Sequence, residues 1–89
     1  MTERERFEAD VRKAFKRLVP TFNEPAPDTI HATLPVGDGL FIDVWRLPNG
    51  EHRVDRCKGS SVADARDKAV ESYRVSRLRL RRLTEAMTP

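Results

Sequence analysis

The apolar residues of this chain change period twice, and that change limits the fold more than any other feature. Phe7, Val11, Phe15 and Leu18, with Ala14 beside them, recur at helical spacing. From Asp28 the period drops to two, as Ile30, Ala32 and Leu34 alternate with Thr29, His31 and Thr33. From Val62 the spacing returns to threes and fours through Ala65, Ala69, Tyr73, Ser76, Leu80, Leu83 and Met87. A helix buries one stripe and a half-buried strand one face, so these periods read as helix, then strands, then helix. The expected fold is α+β, in the order α-β-β-β-α, with a three-stranded antiparallel sheet and two helices packed on one of its faces. The other face would be open.

Local signals place the boundaries. Thr2 and Glu5 have capping-box spacing, so a helix is predicted over 3–19, stopped by Pro20. Pro25 and Pro27 push the residues before them out of the α region, which makes 20–27 an extended connector. The sheet is expected over 28–57, with Gly37-Asp38-Gly39 as its first turn. In the middle strand Leu40, Ile42 and Val44 face inward, while Phe41, Asp43, Trp45 and Leu47 face outward. A three-residue loop, Pro48-Asn49-Gly50, would pair Val44 with Val54 and Trp45 with Arg53, whereas a two-residue Asn-Gly loop would pair Trp45 with Val54. The first register is favoured, because proline and glycine suit the positions that the longer loop gives them. Gly59 breaks the chain, and Ser61 with Asp64 opens a long helix over 61–86. At ~1.5 Å per residue that helix runs close to ~40 Å, so its last two turns are expected to overhang the sheet.

Composition narrows the chemistry. Eighty-nine residues allow one small domain, and 35% charged against 38% hydrophobic residues leave it a thin core. Cys57 is the one cysteine, so no intrachain disulfide forms, and a reducing, cytoplasmic setting is expected. No stretch has signal-peptide character or approaches the ~20 apolar residues of a membrane span. Cys57 has no motif joining it to His31 or His52 and reads as a structural cysteine near a strand end. The histidines and cysteine lack metal-site spacing, and the four glycines lack phosphate-loop spacing. The expectation is a protein without metal, cofactor or catalytic residues.

Two constellations point to binding. Arg74, Arg77, Arg79, Arg81 and Arg82 fall within nine residues that contain no acid, a local charge near +5 in a chain whose net charge is +3. Arginines bind phosphate oxygens with bidentate geometry, although positive charge also complements a helix C-terminus. The outer sheet residues Phe41, Trp45 and Leu47, with Arg53 placed to stack on Trp45, form the second. Large aromatics on such a face serve protein contact, self-association or base stacking, unless the connector or the long helix covers them.

The run Gly59-Ser60-Ser61-Val62-Ala63-Asp64-Ala65-Arg66-Asp67-Lys68-Ala69, together with the element order, resembles the double-stranded-RNA-binding domain. The topology compared covers roughly residues 3–75. Ser61, Asp64, Ala65, Arg66 and Ala69 match the opening of that family's second helix, while Val62 and Ala63 stand where it carries phosphate-clamping lysines. The resemblance implies an RNA-binding role and adds Arg66 to the candidate nucleic-acid contacts. The three-strands-then-helix order also resembles the DNA-binding domains of some phage integrases, which lack the first helix. The expected function is a small non-enzymatic module that docks on nucleic acid or a nucleoprotein through Arg66 and the arginine-rich helix. The alternative is a protein-interaction module, an adaptor or a phage-type inhibitor similar in size to anti-CRISPR proteins, that uses Phe41, Trp45, Leu47 and Arg53. Self-association through the open face or the long helix belongs to the same alternative.

Overall fold

Thr2 opens the first helix as its spacing predicts: its hydroxyl accepts from the Glu5 N–H, and the Glu5 carboxylate accepts from the Thr2 N–H, each at 3.1 Å. The protein, seen in a computed structural model, is described over residues 1–74 and 78–87, with 78–82 described by backbone alone. Helix α1 spans Glu3–Ala14 and ends earlier than the predicted 19. Phe15 leaves helical geometry at φ −127° and ψ 64°, and the turn after it sends the chain back into the sheet.

The predicted connector is itself a strand, β1 (Thr21–Ala26), which pairs with β2 (Thr29–Gly37) as Thr21 opposite Thr33, Phe22 opposite Ala32 and Asn23 opposite His31. By sequence Pro25 and Pro27 make this stretch an extended connector, and the sheet accommodates Pro25 at its margin. β1 is an edge strand, and Pro25 sits where the register shifts between Asn23 and Ala26. An edge or a bulge is where a residue without an N–H costs no ladder bond. Pro27 and Asp28 make the turn, with Asp28 at φ 57°.

Strand β3 (Leu40–Arg46) pairs with β2 and then with β4 (His52–Val54) in the register favoured from sequence, Val44 opposite Val54 and Trp45 opposite Arg53. Leu47 donates to the Glu51 carbonyl at 2.9 Å and closes the loop around Pro48, Asn49 and Gly50. The last predicted strand divides. Asp55, at φ 51°, turns the chain, and β5 (Cys57–Gly59) returns beside β4. The result is a five-stranded antiparallel sheet in sequential order, two strands more than predicted.

Helix α2 (Val62–Arg74) starts where Ser61 Oγ accepts from the Asp64 N–H at 3.0 Å and the Asp64 carboxylate accepts from the Ser60 N–H at 3.0 Å. Gly59 is required there by space, because a Cβ on it would run into the backbone of Ala65. Helix α3 (Leu78–Met87) packs against α2, which corrects the predicted single overhanging helix. Continued straight from Arg74, Met87 would stand ~20 Å away along the axis. Instead Leu83 and Met87 are buried with Phe7, Val11, Phe15, Leu34, Ile42, Val44, Val54 and Val62 in one core. The apolar stripe of α3 gains more by returning to that core than by extending into water. The fold is α+β with three helices. No described helix is long and apolar enough to cross a membrane.

Candidate functional site

The strand registers place Asn23, His31, Trp45, Arg53 and Lys58 in one row across the outer face, one residue from each strand. At its centre the rings of His31 and Trp45 stack, with centroids 3.9 Å apart and planes 9° apart. One face of the indole is therefore occupied by His31. The imidazole is fixed in turn: His31 Nε2 lies 2.8 Å from Asp43 Oδ1 and 3.5 Å from the Thr33 hydroxyl. Asp43 is held through its backbone, since its N–H donates to Asp55 Oδ1 at 3.0 Å and its carbonyl accepts from the Asp55 N–H at 2.7 Å. The second Asp55 oxygen accepts from the Tyr73 hydroxyl of α2 at 2.7 Å. Trp45 thus stands on a chain of contacts that reaches the helical layer.

The charges of this face are matched. Glu51 pairs with Arg53 at 2.8 Å and with Lys58 at 4.0 Å, and Asp43 faces His31. Arg53 is therefore engaged by Glu51, while the ring partner of Trp45 is His31. Phe41 is 52% exposed at one end of the face, and Leu47 is half-buried at the other.

The basic candidates do not form one described surface. Arg66 is used internally: its guanidinium donates to the Ala14 carbonyl at 2.9 Å and pairs with Asp67 at 2.8 Å, leaving the side chain 19% exposed. It thereby caps α1, whose last carbonyls have no helical partner. Arg74 is exposed at the end of α2. Arg77 lies outside the described residues, as do the side chains of Arg79, Arg81 and Arg82.

The His31 cluster has the composition of a hydrolytic relay but not its geometry. A relay places carboxylate and hydroxyl on opposite ring nitrogens, whereas Asp43 and Thr33 both approach Nε2. Cys57 is half-buried against the core. No group of three or more His, Cys, Asp or Glu able to hold a metal ion occurs among the described residues.

His31, Asp43 and Thr33 were not singled out from sequence as parts of the site, although period-two alternation had already put all three on the outer face. The β2–β3 register, set by the turn between those two strands, is what brings His31 to Trp45. Compared with known proteins, the chain matches no family model, no curated protein and no solved structure.

Proposed function

We propose that the protein is a non-enzymatic binding module that docks on a protein partner through the outer sheet face, with Trp45 as the central contact and Phe41, Leu47 and Arg53 around it. The observation that carries this reading is the support beneath Trp45. A tryptophan used only as filler needs no stacked histidine fixed by a carboxylate, and a side chain held in one geometry loses little entropy when a partner meets it. Tryptophan and arginine dominate contact hot spots. The Arg53–Glu51 pair favours protein over nucleic acid at this face, because Arg53 would have to leave Glu51 to meet a phosphate.

A second reading keeps one observation of its own: from Arg74 to Arg82 there are five arginines and no acid. On it, the same module docks on nucleic acid or a nucleoprotein through that segment.

Capture from cell lysate, with and without nuclease, separates the two. On the first reading the wild type and a variant with Arg77, Arg79, Arg81 and Arg82 changed to glutamine retain the same nuclease-resistant protein, and Trp45→Ala loses it. A contact centred on Trp45 should lose ~2 kcal/mol or more and depend weakly on salt. Capture that vanishes with nuclease or with the glutamine set, and survives Trp45→Ala, overturns it in favour of the second.

A further inference from the structure

On the opposite side of the molecule, a groove of about 350 Å³ runs between the C-terminal half of α1 and the start of α2. Its apolar floor is the exposed Ala63, over Ala14 and Val62 that are themselves buried in the core. Arg66 walls one side with its charge already committed to Asp67 and the Ala14 carbonyl. Lys13 and Lys16 rim the opening. Arg4 and Arg12 of α1 are held by Glu8, whereas Lys13 near its end and Lys16 in the turn after it are, like Arg6, exposed and without a carboxylate partner among the described residues. Asp10 is the acid of the lining.

We infer that this groove is a docking site for an acidic peptide segment that carries apolar side chains. An apolar side chain of the partner removes the exposed Ala63 and the aliphatic stems of Lys13 and Lys16 from water, and flanking carboxylates meet the two ammonium groups. Asp10 repels a carboxylate at its own position and so fixes which way the segment lies. A phosphate backbone fits less well, since it leaves the floor unfilled and brings its repeating charge onto Asp10. The site is separate from the outer sheet face and does not depend on Trp45.

The test uses the full chain and a fluorescently labelled short peptide of glutamate and leucine, with binding followed by anisotropy. Saturable binding is expected, unchanged in Trp45→Ala and weakened about tenfold in Lys13→Glu/Lys16→Glu, as two reversed surface pairs would give. Ala63→Phe, an exposed position whose larger side chain would occupy the floor, should also abolish it. Should the double lysine variant fail to fold by circular dichroism, Ala63→Phe decides alone. No saturable binding overturns the inference, as does affinity unchanged by these variants. Equal binding of an all-glutamate peptide removes the role of the floor and also overturns it. So does equal or tighter binding, through the same lysines, of single-stranded RNA of the same length or of phosphatidylserine vesicles.

Discussion

Tyr73 keeps its phenolic proton well beyond the ordinary range. Burial is the larger cause, and the hydrogen bond to Asp55 adds to it, because an ionised phenol would face a carboxylate. An unfolded tyrosine releases its proton near pH ~10, so above that value the folded state binds more protons than the unfolded one. Stability from this group is complete below ~10 and is lost as pH rises further. Tyr73→Phe is expected to cost about 1 kcal/mol at neutral pH and to flatten the decline above ~10, read from urea midpoints at both values. A decline as steep in the variant would remove Tyr73 as its cause. His52 works in the other direction. Its ring stacks beside Phe7 at 6.5 Å, and its buried Nδ1 has no hydrogen-bond partner among the described residues. Burial, then the charge of Arg46, lowers its pKa. Unfolded histidine gains a proton near ~6.5, so stability contributed by the neutral ring is present above that value and falls as pH drops below it. His52→Phe keeps the stacked ring and is expected to lose less stability than the wild type between about pH 7 and about pH 5 in urea melts. Equal losses in the two proteins would exclude His52 as the acid-sensitive group.

Each element shows a local signal that either agreed with its surroundings or gave way to them. Both capping motifs form where the sequence puts them, since a cap satisfies free N–H groups within a few residues of itself. β1 shows the opposite: Pro25 and Pro27 disfavour a strand, yet Phe22 packs edge-on against Phe7 with ring centroids 6.1 Å apart, and Thr21–Ala26 pairs with β2. Packing at an edge outweighs propensity there. The junction of β5 and α2 has no such tolerance. A Cβ at Gly59 would lie 2.8 Å from both Ala65 Cα and Asp64 Oδ2 and closer still to the Ala65 nitrogen, most of it backbone that cannot rotate away. Gly59→Ala should therefore destabilise by about 1–3 kcal/mol in chemical denaturation, with Ser61 still capping α2. A variant as stable as the parent would mean that the helix start can shift away from the strand.

Over the whole molecule, the decisive feature is where the chain places its last helix. Met87 is 1% exposed within the same core as Val44 and Val54. Met87→Ala is expected to cost about 2–5 kcal/mol in thermal or urea unfolding, the usual range for a buried methionine. A change near zero would fit a helix that overhangs the sheet in water, as the sequence alone suggests. Val44→Ala checks the sheet face in the same assay, with a loss of ~1–3 kcal/mol expected. The inner face, comprising Leu34, Ile42, Val44 and Val54, was legible in the sequence together with Phe7, Val11 and Phe15, because alternation and helical spacing report which residues share a side. The β3–β4 register was legible as well, since the loop chemistry of Pro48-Asn49-Gly50 is local. What periodicity cannot encode is direction in space. An unbroken three-and-four pattern from Val62 to Met87 fits one long helix or two packed together, and burial of Leu83 and Met87 in the common core decides for two. The support beneath Trp45 is of the same kind. His31, Asp43, Asp55 and Tyr73 are distant in sequence and meet because β2, β3, the turn between β4 and β5, and α2 bring these groups within hydrogen-bonding distance. Local chemistry determined the caps, turns and faces of this protein, and the competition of its apolar surfaces for one small core determined how those pieces were joined.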